Sequence, residues 1–170
     1  IPVENPITES KRILGKILFW DEQLSSDNTT ACGTCHIPTS AGADPRLALN
    51  PGNDGIPGTP DDVISSFGIV RADSLHHFVS DPIFNLAVQA TPRAAPSAIN
   101  AGYANDTFRD GRATSTFPDP QTGLVSIASG GALESQAVGP PLSNAEMGHE
   151  GRNWDHIIAK LTPARPLALA

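Results

Sequence analysis

Five consecutive residues, Cys32-Gly33-Thr34-Cys35-His36, constrain this chain more than any other feature of its sequence. They contain the only two cysteines among 170 residues, and a histidine follows the second cysteine directly. Two thiols three positions apart lie about one helical turn apart, which suits addition to the two vinyl groups of one porphyrin. The histidine that follows can give an imidazole nitrogen to the iron. The spacing therefore predicts a covalently attached haem c, anchored by Cys32 and Cys35, with His36 as the proximal ligand.

Other chemistries that use the same pattern agree less well with the rest of the sequence. A thioredoxin-like dithiol follows a strand of a βαβ unit, and no such pattern precedes Cys32. A structural zinc site needs two further ligands at a second knuckle, and the sequence has none. A structural disulfide is the third alternative, and haem attachment is the preferred interpretation.

Length, composition and charge limit the classes of protein to which the chain can belong. A chain of 170 residues corresponds to one domain, or to a haem domain with long insertions. The net charge of −7 argues against nucleic acid or an anionic membrane as the partner. No stretch approaches the roughly 18 apolar residues of a membrane span. Because covalent haem attachment takes place outside the bacterial cytoplasm and the chain begins at Ile1 without a methionine, we expect an exported, periplasmic protein.

Apolar periodicity and capping residues predict three helices. The first spans residues 7–21, with Thr8 or Ser10 as its cap, and the last spans residues 153–161. A short helix is expected over residues 132–138. The stretches between them are rich in glycine and proline, which predicts loops, including an insertion at residues 117–131 and an apolar tail at residues 166–170.

One of these loops has the composition of a calcium site. Residues 50–62 have no periodicity and are dense in turn-forming residues. The oxygen-bearing side chains of this stretch are Asn53, Asp54, Asp61 and Asp62. Its glycines allow carbonyl oxygens to turn inward, as in calcium loops, although no glutamate occupies the closing position of an EF-hand. A solvated acidic turn is the alternative.

Imidazole and guanidinium groups elsewhere are candidates for contact with a haem. His76 and His77 are adjacent, and either of them is a candidate distal iron ligand, with a surface or structural position as the alternative. Arg109 and Arg112 lie close to Asp110, which can pair with them if the group is buried. An arginine beside a haem can also hold a propionate through two hydrogen bonds.

Several segments, in the same order, resemble the bacterial di-haem cytochrome c peroxidases and their MauG-like relatives. The resemblance covers most of the chain. It rests on residues 14–20 with Leu24-Ser25 ahead of the haem motif, Pro92-Arg93 with Pro96 and Asn100, residues 108–113, Gln136-Ala137 with Gly139-Pro140, and Glu146-Met147.

The resemblance implies a mostly α fold with a c-type haem. Proteins of this family have two cytochrome c-like domains, and peroxide is cleaved at the haem of the first. This chain is similar to the first domain, so we expect one cytochrome c-like domain over residues 1–170 with long loop insertions. A second Cys-x-x-Cys-His is absent from the sequence, which suggests a fragment or a subunit of a two-haem protein.

The resemblance also implies a set of catalytic residues. Gln136 and Glu146 match the glutamine and glutamate of the family's distal face, where an amide orients peroxide and a carboxylate moves its proton. Ser143 and Glu146 also form a capping-box pattern, so a structural role for Glu146 is the alternative. Leu86 stands where the family has a switchable distal histidine, which predicts an open iron site. Arg109 stands where the family usually has a tryptophan between the haems.

The expected function is that of a peroxidase-type oxidoreductase. It would reduce hydrogen peroxide, or use peroxide or oxygen to oxidise a substrate, and its electrons would come from a donor protein or a second haem domain. One alternative is an electron-transfer cytochrome in which Met147 or His149 is the sixth ligand opposite His36. A haem sensor domain is the other alternative, since it would share the open iron site.

Overall fold

The computed structural model describes residues 1–162. It shows that the expected mostly α fold is wrong, because 26% of the structure is helical and 16% is strand, in small antiparallel sheets. Between the haem motif and residue 131 the chain intersperses β-branched and aromatic residues with glycine and proline, which favours short hairpins and turns over helices. The apolar tail at residues 166–170 lies outside the described residues.

The elements of the described residues are short. The α-helices are α1 (Glu9–Trp20), α2 (Cys32–Cys35), α3 (Ala132–Ala137) and α4 (Trp154–Leu161). The strands are β1 (Ala48–Asn50), β2 (Val63–Ser65), β3 (Phe67–Val70), β4 (Val88–Ala90), β5 (Phe117–Pro118) and β6 (Val125–Ile127). They pair in three two-stranded sheets, β1 with β2, β3 with β4 and β5 with β6. Short 3-10 turns lie at Glu22–Leu24, Pro38–Ser40, Ala101–Tyr103 and Pro140–Leu142.

Helix α1 forms where the sequence predicts it and supports the haem motif. The hydroxyl of Thr8 accepts a hydrogen bond from the N–H of Lys11, so the predicted cap is confirmed. At the other end, the ring of Trp20 packs on Gly33, and a Cβ on that glycine would lie 2.3 Å from the ring. The last residue of α1 therefore lies against the backbone of α2.

The hydrophobic core is small and lies between α4 and the chain that approaches the haem motif. Its buried residues are Leu24, Met147 and Ile157, and the residues packed around them are Leu18, Cys32, Leu142, Trp154 and Leu161. Helix α4 begins with the predicted cap, since the Asn153 side chain accepts the N–H of His156 at 3.0 Å. The core thus joins the two ends of the described chain.

Residues 117–131, expected to be a loop insertion, contain the hairpin β5–β6. Phe117 pairs with Ile127 across the two strands. Asp119 closes the turn, because its carboxylate accepts the backbone N–H groups of Gln121 and Thr122 at 2.9 Å and 2.8 Å. Among residues 1–162, no helix is both long enough and apolar enough to span a bilayer.

Candidate functional site

The two cysteines lie together on one short helix. The hydroxyl of Thr34 accepts the N–H of Ala31 at 2.9 Å at the start of α2, and the N–H of His36 donates to the Cys32 carbonyl at 2.9 Å at its end. Both cysteines are half-buried and neither forms a disulfide. Burial raises the pKa of both thiols, so they are protonated at neutral pH. Two free thiols on one helical turn fit the vinyl groups of a porphyrin.

The ring of His36 is oriented by backbone carbonyls. Its Nδ1 lies 3.0 Å from the carbonyl oxygens of Gly42 and Pro96. A carbonyl only accepts hydrogen bonds, so Nδ1 carries the proton and Nε2 keeps its lone pair. Fixing the tautomer through the other ring nitrogen is the usual support for a metal-bound histidine. His36 therefore fits the role of proximal iron ligand, and the ring of Phe19 lies 6.5 Å away between centroids.

An arginine that the sequence did not single out lies beside the second cysteine. The guanidinium of Arg46 donates to the Thr34 carbonyl at 2.9 Å and lies 3.6 Å from the sulfur of Cys35. Asp44, whose side chain is fully buried, accepts two bonds from Arg46 at 2.8 Å and 2.9 Å. Burial acts to raise the pKa of Asp44, but hydrogen bonds from Arg46 and Ser66 outweigh it, so the pKa is lowered. The only signal in the sequence is an aspartate and an arginine two positions apart shortly after the motif.

Glu146 is a half-buried carboxyl close to the haem motif. The backbone N–H groups of residues 146–148 donate to the Ser143 carbonyl, so the turn is closed by this carbonyl rather than by the predicted hydroxyl cap. Burial raises the pKa of Glu146, and the nearby guanidinium of Arg112 offsets part of this effect. A carboxyl whose pKa is raised by burial holds its proton more readily than an exposed one, which suits a group that accepts and returns a proton.

The turn that carries Glu146 is tied to the approach of the haem motif. The N–H of Ser26 donates to the Met147 carbonyl at 2.8 Å. The buried guanidinium of Arg152 donates from one nitrogen to three carbonyls, at 2.6 Å to Leu24, 3.1 Å to Pro141 and 3.0 Å to Met147. The backbone next to Glu146 is therefore fixed relative to the chain that leads into α2.

Gln136 lies on α3 and faces a cavity of about 260 Å³ next to His36. Pro96, whose carbonyl contacts the His36 ring, lines the same cavity, as does Phe108. Arg112 stacks on the Phe108 ring, with the guanidinium carbon 3.6 Å from the ring centroid. Among residues 1–162, no hydrogen bond joins Gln136 to Glu146. Glu146 lies near the haem motif, whereas Gln136 lies on α3 at the cavity that Pro96 also lines.

The two arginines proposed for a propionate differ in their surroundings. Arg112 pairs with Asp110 at 3.0 Å, and Arg93 pairs with the same carboxylate at 3.0 Å. Arg109 is exposed, and no ion pair to it occurs within the described part of the chain. Arg112 is thus held beside the cavity, while a haem contact of either arginine stays a prediction.

The alternative iron ligands have other partners. Met147 is 3% exposed and packs in the core, so its sulfur contacts apolar side chains. His149 is also buried, and its Nδ1 lies 2.9 Å from the hydroxyl of Ser26. The ring of His76 packs on His149 with centroids 4.5 Å apart. The exposed His77 lies 3.5 Å from the carboxylate of Asp73.

In the acidic loop at residues 50–62, the carboxylates accept hydrogen bonds from the backbone of the same loop. Asp61 accepts hydrogen bonds from the N–H of Asn53 at 2.7 Å and of Asp54 at 3.3 Å, and Asp62 accepts the N–H of Gly58 at 2.7 Å. These bonds stabilise the turn without a cation. Residues 1–162 contain no cluster of three or more histidine, cysteine or acidic side chains arranged for a metal ion. Calcium in this loop stays a prediction.

Comparison with known proteins identifies the family. The family model described as di-haem cytochrome c peroxidase matches residues 9–167. The chain belongs to this family. Membership, together with the Cys32–His36 motif, implies haem c as the cofactor.

Three curated relatives show how the similarity is distributed. The cytochrome-c peroxidase IdrP1 of Denitromonas iodatirespirans is 34% identical over 109 residues, which are 64% of this chain and 27% of the relative. The methylamine utilization protein MauG of Methylophilus methylotrophus is 47% identical over 45 residues, 26% of this chain and 13% of the relative. The cytochrome c551 peroxidase of Pseudomonas aeruginosa is 49% identical over 39 residues, which are 23% of this chain and 11% of the relative. The aligned part of the chain thus spans about a quarter or less of these relatives.

Proposed function

We propose that this chain carries the haem site at which hydrogen peroxide is reduced to water. The observation that supports the proposal is the half-buried carboxyl of Glu146, which lies close to the ring of His36 and the guanidinium of Arg112 and whose pKa is raised by burial. Two of the relatives named above are peroxidases, which agrees with this chemistry.

The side chains of this site would supply the proton transfers. Cys32 and Cys35 would hold haem c and His36 would bind its iron, and the group would supply the redox chemistry needed to break the O–O bond. Glu146 accepts the proton of the near oxygen of hydrogen peroxide and donates it to the far oxygen, which leaves as water. Arg112 keeps the carboxylate form of Glu146 accessible, and the amide of Gln136 can donate a hydrogen bond that orients the peroxide.

The two electrons and two protons that the net reaction consumes come from outside the site. Reduction of one peroxide to two waters takes two electrons and two protons, so the site needs a one-electron donor that acts twice. An electron-donor protein or the second haem of a larger protein would fill this role, and an exported, periplasmic location agrees with covalent haem attachment. Arg109 is not oxidised readily, so this position is not expected to conduct electrons.

Substitution of Glu146 tests the proposal directly. Glu146→Gln keeps the size of the side chain but removes its proton chemistry, so we expect the reaction with peroxide to slow by at least about a hundredfold. The measurement is the stopped-flow rate of the haem reaction with peroxide, per mole of haem. The matched control is Glu150→Gln, an exposed glutamate four residues away. A Glu146→Gln rate close to that of the control would contradict the proposal.

The state of the distal side gives a second test. Leu86 has no ligating atom, and Met147 packs in the core, so we expect no sixth ligand from these positions. The ferric protein should therefore show a high-spin haem in absorption and EPR spectra. A low-spin spectrum with the near-infrared band of methionine ligation would instead support the electron carrier.

A further inference from the structure

The turn that carries Glu146 lies directly on strand β3. The carbonyl oxygen of Ala145 occupies the space beside Gly68, where a Cβ would lie 1.7 Å from that oxygen. The N–H of Ile69 donates to the same carbonyl at 3.2 Å. Gly68 is therefore needed for space rather than for an unusual backbone angle, and any side chain at this position would push the residue before Glu146 away.

A buried amide on β4 makes the second connection. Gln89 is 6% exposed, and its Nε2 donates to the Ile69 carbonyl at 3.0 Å and to the Asn144 carbonyl at 2.8 Å. One side chain thus joins both strands of the hairpin to the residue two positions before Glu146. Together with the bond to Ala145, this fixes two consecutive peptide groups that precede the carboxyl.

The same hairpin also contacts the haem motif. The carbonyl of Phe67 lies 3.8 Å from the sulfur of Cys35. The hydroxyl of Ser66, directly before β3, accepts the N–H of Ala95 at 2.9 Å, and the carbonyl of the following residue, Pro96, contacts the ring of His36. The hairpin therefore extends from the haem anchors to the Glu146 turn.

We propose that the β3–β4 hairpin sets the position of the Glu146 carboxyl relative to the haem anchors, with Gly68 and Gln89 as positioning residues. This inference rests on the proposed function, because it assigns the hairpin a role in the chemistry of Glu146. It also gives a function to a part of the fold that forms strands where the sequence predicts neither helix nor strand.

The test compares Gln89→Met, which keeps the length of the side chain but has no donor, and Gly68→Ala with the wild-type protein. Both should slow the peroxide reaction per mole of haem by at least about tenfold, since misplacement of a catalytic group by about 1 Å can cost that much or more. Gly15→Ala is the control, because nothing lies within 4 Å of a Cβ at that exposed helical position. If Gln89→Met does not fold, Gln89→Asn replaces it, since its shorter amide cannot reach both carbonyls.

Two readouts separate positioning from general stability. The Glu146→Gln background should abolish the effect of Gln89→Met, because a residue that acts through Glu146 has nothing left to position. The infrared titration of the Glu146 carboxyl, with Glu146→Gln as the blank, should move to lower pH in the hairpin variants as the carboxyl gains solvent.

The outcomes also separate this inference from the proposed function. If Glu146→Gln reacts at the wild-type rate, the proposed function is wrong. If Glu146→Gln is slow but the hairpin variants keep the wild-type rate and titration, only the positioning role is wrong. Equal slowing by Gln89→Met in both backgrounds would likewise reduce the hairpin to a structural element and overturn the inference.

Discussion

Gly33 is required because an aromatic ring fills the space that a side chain at this position would occupy. The ring of Trp20 would lie 2.3 Å from a Cβ at this position, whereas a Cβ on Gly15 would have nothing within 4 Å. We predict that Gly33→Ala destabilises the protein by about 1–3 kcal/mol through overpacking, and that it lowers haem incorporation because α2 must shift. Gly15→Ala should stabilise α1 by up to about 1 kcal/mol.

The measurements for this pair are urea unfolding and haem content by absorption. The two substitutions add the same methyl group, so opposite signs would isolate the effect of the tryptophan ring. Replacing Trp20 by leucine in the Gly33→Ala protein should restore part of the stability. Wild-type stability and haem content in Gly33→Ala would contradict the prediction, because they would show that the Trp20 ring moves aside without destabilising the protein.

At the residue scale the sequence is informative where chemistry depends on spacing along the chain. The motif from Cys32 to His36 is local, so its role can be predicted without a structure. The contacts that position the rest of the site join residues far apart in sequence. Pro96 contacts His36 from 60 residues away, and Gln89 reaches Asn144, beside the Glu146 turn, from 55 residues away. Such contacts depend on how separate segments pack together, which spacing and periodicity do not encode.

At the element scale, helices are predicted from the sequence and strands are not, for the same reason. Helices α1 and α4 were predicted because a cap and an apolar stripe are local signals. The strands contain two to four residues each, too few for a clear alternation of apolar and polar side chains. Their stability depends on long-range partners, as β3 depends on the Glu146 turn, so the sequence alone predicts no strands and a mostly α fold.

Arg152 joins elements that are separate in sequence. Its guanidinium is buried, no salt bridge to it occurs among residues 1–162, and three carbonyls accept its hydrogen bonds. We predict that Arg152→Met costs about 3 kcal/mol or more, because hydrogen bonds to a charged donor are lost and buried carbonyls are left unpaired. Urea unfolding measures this loss.

The control for this prediction is Arg12→Met on the surface of α1. Within residues 1–162 Arg12 pairs only with the exposed Glu9, and an exposed pair of this kind contributes less than about 1 kcal/mol. If both substitutions lower the free energy of unfolding equally, water satisfies the three carbonyls in the Arg152→Met protein. The guanidinium would then not be what joins the segments.

At the scale of the whole molecule, His149 lies where three parts of the chain meet. It packs between the segment of His76, the hydroxyl of Ser26 before the haem motif, and His156 of α4. Burial lowers the pKa of His149, and the nearby positive groups His76, Arg152, His156 and Lys160 lower it further. A proton added to His149 would therefore act against the packing of all three parts at once.

The sign of the resulting pH dependence follows from this shift. Because the folded state binds this proton less readily than the unfolded chain, the contribution of neutral His149 is fully present above the ordinary imidazole pKa of 6.5 and is lost as the pH falls through the folded value. One proton changes the free energy of unfolding by at most about 1.4 kcal/mol per pH unit.

We predict that His149→Asn, which can keep the hydrogen bond to Ser26, has a flatter curve of stability against pH below pH 6.5. Urea unfolding across this range measures it, with the exposed His77→Asn as control. Parallel curves for wild type and His149→Asn would mean that His149 is protonated in the fold without cost, and that acid stability is set elsewhere in the molecule.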